Sequence, residues 1–317
     1  MNEVWLRRTN LLKVSLVALA ALVAACLLAL VATQKTAEAT FPGKNGRIAF
    51  TLFPEVGDAE IYKMLPDGSG LKQVTNNSAP DVRPAWSPDG TKISFSRLDK
   101  FNDPDKILVR DTRNGQVVRL TNNAGIPGFD AAWSPDGRRV AFECHLGGDN
   151  GIDICTMNSS DGSEVTNLTN NQILDIGPSW SPDGARIAFT RDRDIWVMNA
   201  DGTNQKNLTN TPAASDGEAD WSPDGTKIVF QKLGGEPDDN DVFVMNADGS
   251  GERNLTDTPA LREEHPAWSP NGRKIAFTEG DDVWVMNADG TNRSNLTNTP
   301  RVIEFMGDWQ RIPQATP

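Results

Sequence analysis

Trp180-Ser181-Pro182-Asp183-Gly184, followed by Arg186-Ile187-Ala188-Phe189 and then by Ile195-Trp196-Val197-Met198-Asn199, is one copy of a phrase that recurs along this chain. Its tryptophan returns at Trp86, Trp133, Trp221 and Trp268, with Asn271 for Asp in the last of these, and once more at Trp309. The steps between the six are 47, 47, 41, 47 and 41 residues. That spacing is the period of a four-stranded blade in a radial repeat architecture.

The other parts of the unit fix the count. An Ile-Ala-Phe-like run ends at Phe50, Phe95, Phe142, Phe189, Phe230 and Phe277, and a second apolar run begins at Ile61, Ile107, Ile154, Ile195, Val242 and Val283. A short segment then closes at Thr75, Thr121, Thr169, Thr209, Thr256 and Thr297. The runs are short, rich in β-branched and aromatic residues, and bounded by Gly, Pro, Asn and Asp, which predicts antiparallel strands. In Ser-Pro-Asp-Gly, Pro presets φ and Gly tolerates positive φ, so the phrase turns one strand into the next. The expectation is an all-β, six-bladed propeller over residues 40–317. The strand of Trp309 should complete the first blade and leave no open edge. Phe41 stands where a first Trp would stand, so an N-terminal strand through it is the competing closure. The recurring Trp, Phe and Met positions should pack between blades.

Asn-Leu-Thr at Asn167, Asn207, Asn254 and Asn295 fits the glycosylation pattern but coincides with a repeat element, which favours a structural origin. The Asp-Gly turns lack the later bidentate Glu of a calcium loop and read as hairpin chemistry.

Residues 1–39 carry Arg7, Arg8 and Lys13 ahead of an apolar run of 19 residues, Val14 to Ala32, then Ala37-Glu38-Ala39. This is the order of an export signal, cleaved after Ala39. The same run is long enough to be retained as a membrane anchor, with the propeller still outside. Val23-Ala24-Ala25-Cys26 also matches a lipidation box acylated at Cys26. All three readings put the propeller in the periplasm or outside the cell, touching membrane only through this segment. Beyond the leader only Cys144 and Cys155 remain, on the second and third strands of one blade and on one face, the candidates for a disulfide.

The formal charge is −12, and four basic against two acidic residues in the leader leave the propeller at −14. Such acidity gives no electrostatic footprint for nucleic acid. Five residues before the repeat Trp stand Asp81, Asp175, Asp216, Glu263 and Glu304, with Gly128 breaking the series and Asp130 two residues on. On an innermost strand these acids should ring the channel mouth. The loops between second and third strands add Asp103, Asp105, Asp149, Asp238, Asp239 and Asp241 on the same face. The ring predicts binding of a cation, a Ca²⁺-bridged ligand or a basic peptide, with Asp81, Asp175 and Asp216 as Ca²⁺ candidates; the structural alternative is that the acids cap strand starts.

Two histidines, His145 and His265, rule out a three-His zinc site, and no Gly-x-Ser-x-Gly elbow, phosphate loop or dinucleotide fingerprint is present. His265 lies near the acidic mouth and His145 begins a loop on that face. With Glu263 or Asp149 they are the candidates for an acid–base or metal site.

The run Pro178 to Thr209 resembles the TolB-type propeller repeat, and the resemblance extends over Phe41 to Trp309. It implies an exported bacterial six-bladed propeller; family members serve the envelope Tol–Pal system, bind a peptidoglycan-associated lipoprotein and take extended peptides into the channel mouth. On this reading the repeats begin right after the leader, without the α/β domain that precedes the propeller in such proteins, which puts membership of the Tol–Pal system in doubt. Related repeats occur in peptidases and in polysaccharide lyases that place His and Arg over the channel. The expectation is therefore a monomeric, exported, non-catalytic propeller. Asp81, Asp130, Asp175, Asp216, Glu263, Glu304 and His265 would receive a neutral or basic protein or peptide, with no cofactor beyond a bridging Ca²⁺. The rival is a metal-assisted carbohydrate lyase or hydrolase using His145 and His265, and a third reading is a purely structural envelope module.

Overall fold

A computed structural model describes residues 43–98, 105–121, 126–146, 151–212, 214–234, 240–258, 261–299 and 301–312. The chain divides into the units Met1–Glu38 and Ala39–Pro317, and every described residue belongs to the second. The export leader, Cys26, Phe41, Asp103, Asp149, Asp238 and Asp239 lie outside the described residues.

Six four-stranded antiparallel sheets form the blades of a propeller. The inner strands of blades two to six are Asp81–Trp86, Gly128–Trp133, Asp175–Trp180, Ser215–Trp221 and Glu263–Trp268. Blade one is closed by the far end of the chain: Ile303–Ile312 pairs along Lys44–Phe53, which continues to Glu60–Met64 and Lys72–Gln73. The Trp309 strand thus occupies the inner position and seals the ring, because a strand left unpaired there would expose its backbone donors and acceptors.

Local chemistry explains each bend. In Ser87-Pro88-Asp89-Gly90, the Ser87 hydroxyl donates to Asp89 at 2.6 Å and accepts the Lys92 N–H at 2.9 Å. Asp89 accepts the Thr91 N–H at 3.0 Å, and Gly90 takes φ of 68°. The second strands are buried on both faces, so Phe50, Phe95, Phe142, Phe189, Phe230 and Phe277 are all fully buried between sheets. This places the hydrophobic contribution in the inter-blade seams, at roughly 25 cal/mol per Å² of apolar surface removed from water.

The Asn-Leu-Thr triplets prove to be latches. Asn167, Asn207, Asn254 and Asn295 donate through Nδ2 to Asp153, Asp194, Asp241 and Asp282 at 2.7–2.8 Å. The Thr hydroxyls accept N–H groups of the third strands, as Thr209 does from Ile195 at 3.0 Å. Asp241, expected on the acidic face, is therefore occupied by Asn254, Thr256 and Thr258 within its own blade.

Cys144 and Cys155 form a disulfide with Cα atoms 5.8 Å apart. Cys155 lies opposite Phe142 and Cys144 opposite Asp153, so the bond joins diagonal neighbours on the second and third strands of blade three.

Candidate functional site

The regular acid series turns into the blades. Asp81, Asp175, Asp216, Glu263 and Glu304 are buried to within 1% of completely, and none of them lines the central cavity. Asp81 takes two hydrogen bonds from Arg97, at 2.7 and 2.9 Å, and one from Asn77 at 2.8 Å. Asp175 takes the same set from Arg191 and Asn171, at 2.6, 2.8 and 2.6 Å. Asp216 holds Thr211 at 2.7 Å with Lys232 at 3.8 Å, Glu263 holds Arg293 at 2.8 Å and Thr258, and Glu304 holds Thr299 at 2.8 Å. The expected ring of acids at the mouth is corrected on this point: each carboxylate turns to donors on the neighbouring strand or loop, because burial without partners is costly, with Asp216 Oδ1, Glu263 Oε2 and Glu304 Oε2 left without a hydrogen bond among the described residues. The Ca²⁺ candidates Asp81, Asp175 and Asp216 sit in three separate blades with their oxygens turned to these protein donors. Among the described residues no group of three or more His, Cys, Asp or Glu side chains converges as a metal site.

Gly128 breaks the series for a steric reason. A Cβ there would lie 2.7 Å from Thr121 Cγ2 and 3.0 Å from Ile107 Cδ1. Its register partner is Cys144, where blades two, four and five put Arg97, Arg191 and Lys232, so the acid and its cation are lost together.

The residues that do face the channel stand two positions further on. Each inner strand of blades two to six carries a bulge, and the residue three before the Trp takes positive φ: Arg83, Asp130, Gly177, Glu218 and His265, at 56°, 47°, 62°, 52° and 53°. This conformation is unusual for residues other than Gly and aims each side chain at the axis. Asp130 and His265 were expected there; Arg83 and Glu218 were not. The signal for them was present in the repeat register, three residues before every Trp.

These side chains line a cavity of about 200 Å³. The Arg83 guanidinium meets Glu218 Oε2 at 2.6 Å and Asp130 Oδ2 at 3.5 Å. Burial works against the charge of Glu218, but Arg83 and His265 hold its carboxyl down at about 2. Burial pushes Asp130 up to about 6, with Glu218 adding to the rise and Arg83 opposing it. Burial and Asp130 push Glu143 up to about 8 against the pull of the Gly177 N–H and Arg83. His265 is lowered by burial, packs its ring 5.2 Å from that of Phe305, and leaves Nδ1 without a partner among the described residues. His145 bonds the Gly151 carbonyl at 3.0 Å and does not line the cavity, so the structure does not bring the two histidines together. Asp105 has an interaction of its own and also lies outside the cavity lining.

The bulge N–H groups are caught by the preceding blade. Thr51, Ser96, Gln231 and Thr278 accept from Arg83, Asp130, His265 and Met306 at 2.8–3.2 Å. Glu143 does the same for Gly177 at 2.9 Å, the one carboxyl in a position otherwise held by hydroxyls or an amide. Lower in the channel, Asp220 accepts the Trp268 N–H and Asp308 the Trp86 N–H, both at 2.8 Å. Burial raises them to about 6 and about 7, Asp220 repelling Asp308.

Around the mouth, apolar side chains are exposed among polar ones. Inner strands begin and second strands end on this face, and Val56, Ile173, Leu174, Leu233, Leu261 and Ile303 are exposed on its loops and strand ends. Among the described residues no helix is long and apolar enough to cross a membrane.

Comparison with known proteins agrees with this architecture. The family model described as TolB beta propeller domain matches residues 47–306. A protein named TolB homolog from Chlorobium luteolum is 40% identical over 72 residues, which is 23% of this chain and 16% of that protein's length. TolB from Acinetobacter baumannii, a crystal structure, aligns with a TM-score of 0.69 at 26% identity, covering 85% of this chain and 68% of that one. An oligogalacturonate lyase from Vibrio parahaemolyticus shares the fold at 14% identity and a TM-score of 0.54, over 76% of this chain and 71% of its own. With the repeat, the sealed six-blade ring and a family match that runs from the first blade to the last, the chain belongs to the TolB β-propeller domain family.

Proposed function

We propose that this propeller is an exported, non-catalytic binding module of the bacterial envelope that docks a protein partner on its apolar face and receives an extended segment of it in the channel. The observation that carries this reading is the apolar rim of Ile173, Leu174, Leu233, Leu261 and Ile303 around a channel entrance lined with mixed charge. Exposed apolar side chains gathered on one face around polar groups are in keeping with a protein-docking site. The A. baumannii and C. luteolum relatives carry the name TolB, and by that kinship the partner belongs to the envelope. Arg83, Asp130, Glu218 and His265 replace the acid series as the ligand-facing set. An enzymatic use of His265 has less support, since Nδ1 has no partner to orient it and His145 lies elsewhere.

Photo-crosslinking side chains placed at Leu174 and Leu261, in cells producing the full chain, test the docking face. Protein adducts at both, absent from a probe at Val117 on an outer strand edge, are expected. Equal labelling at all three positions, or turnover of a pectic or other acidic glycan by the purified propeller, would sink the reading.

A further inference from the structure

Two neighbouring positions in the channel depart from the repeat at once. Glu143 puts a carboxyl where the other caught bulge N–H groups meet Thr51, Ser96, Gln231 and Thr278, and a neutral side chain serves the hydrogen bond there equally well. The residue it caps is Gly177, where four other blades aim Arg83, Asp130, Glu218 and His265 at the axis from the same positive-φ bulge. The backbone conformation does not require Gly, since those four hold it with full side chains. A charge has been added and a side chain removed at the same seam.

The site is also one cation short. Asp130 and Glu218 line the cavity with a single guanidinium, Arg83, which is committed to Glu218 and stands 3.5 Å from Asp130, and Glu143, outside that lining but bonded to the Gly177 N–H, adds a third carboxyl beside it. There is room for another: a Cβ on Gly177 would find no atom of another residue nearer than Thr190 Oγ1 at 4.0 Å. A metal ion does not suit the gap, because no three ligating side chains converge among the described residues. A planar or tetrahedral nitrogen cation carried on a chain does, since it can bond carboxylates that lie apart from one another.

We infer that the space in front of Gly177, between Asp130 and Glu143, is a socket for one guanidinium group presented by the incoming segment. This rests on the reading that an extended segment enters the channel, and it names the side chain that segment carries: arginine. In the empty site Glu143 keeps its proton, consistent with its rise to about 8. When the guanidinium arrives, the Glu143 O–H bond breaks, the proton passes to solvent and the carboxylate takes up the ligand's N–H groups. Asp130, Glu218, Arg83 and neutral His265 complete the charge balance around it, with Asp220 and Asp308 deeper in the channel.

The test is calorimetric titration of the purified propeller with three probes: a capped glycine pentapeptide with arginine at its centre, the same peptide with citrulline, and agmatine. The variants are Glu143→Gln, which keeps the acceptor for the Gly177 N–H, and Gly177→Arg, which supplies the guanidinium from within. Wild type should prefer arginine to citrulline by about tenfold or more, a difference of about 1.4 kcal/mol. Buffers of different ionisation heat should report about one proton released per arginine peptide near pH 7, as linkage requires of a carboxyl that ionises on binding. Both variants should lose the preference and the proton release; if Gly177→Arg fails to fold, Glu143→Gln alone decides. Equal binding of arginine and citrulline peptides overturns the socket and leaves the peptide-entry reading standing. Agmatine binding that depends on Glu143 while neither peptide binds supports the socket and overturns peptide entry. No binding of any probe overturns the socket.

Discussion

Arg83 and Glu218 lie 135 residues apart, on opposite blades, and their side chains meet at 2.6 Å across the channel. The bridge spans the channel between the second and fifth blades and lines its cavity. Everything proposed for the channel depends on the charges this contact holds in place.

Replacing Arg83 by Met leaves Glu218 and Asp130 facing each other without a cation. Both partners keep part of their surface open to the cavity, which tempers the penalty, and a loss of about 1–3 kcal/mol in urea unfolding is expected. The double replacement Arg83→Met with Glu218→Met should recover most of it, and a double-mutant cycle measures the coupling.

Stability should fall as pH rises from mildly acidic to mildly basic. Glu143 and Asp308 ionise near about 4 in the unfolded chain but hold their protons to about 8 and about 7 when folded. Their contribution is complete below the unfolded pKa and is lost as pH climbs through the folded values, where the unfolded state binds fewer protons. Asp89, Asp111 and Asp136 are lowered, so theirs is present above the unfolded pKa and lost in acid. Thermal unfolding should therefore show a higher midpoint at about pH 5 than at about pH 8.5. Asp308→Asn, which keeps an acceptor for the Trp86 N–H, should flatten the slope.

The indole of Trp133 donates to Ser94 at 2.9 Å, whereas Trp86, Trp180, Trp221, Trp268 and Trp309 leave Nε1 unpaired among the described residues. Ser94 holds the place in its second strand that Ala49, Ala141, Ala188 and Ala276 hold in theirs, each packed in a cluster with a repeat Trp. Ser94→Ala should cost about 1 kcal/mol, and Ala188→Ser should stabilise by up to a similar amount by giving Trp221 an acceptor. Denaturant midpoints at unchanged m-value would check both.

Opening the Cys144–Cys155 bond releases a loop of 11 residues. Chain-entropy arithmetic puts the loss at about 3 kcal/mol. Unfolding of the Cys144→Ser, Cys155→Ser protein should match that of the reduced wild type, and peptide mapping without reductant should find the two cysteines linked in the untreated protein.

The fold was legible because each blade repeats the same period, turn and apolar run, so the six signals reinforce one another. The closure was legible in Trp309, which stands one period, 41 residues, after Trp268 and so takes an inner-strand place. The site was harder to read. The spacing of Asp81, Asp175, Asp216, Glu263 and Glu304 is regular because each starts an inner strand, and regularity alone does not say which way a carboxylate turns. The clue lay sixteen residues on, where Arg97, Arg191 and Lys232 stand in register with the first three acids and Cys144 with Gly128. In Glu263 the counter-charge comes instead from Arg293, on the loop to the outer strand, which no pairing rule announces. The channel residues Arg83, Asp130, Glu218 and His265 share a position but no residue type. Only the bulge, a backbone event without its own sequence mark, shows that they meet.

The strand Ile303–Ile312 is translated after all the others in the ring, yet it sits at the hub, hydrogen-bonded to Lys44–Phe53. The first blade therefore waits, with its innermost berth vacant, until synthesis has delivered the last turn of the wheel. Under the export proposed for this chain, that delay is useful, because the toroid cannot lock before its final segment has come through.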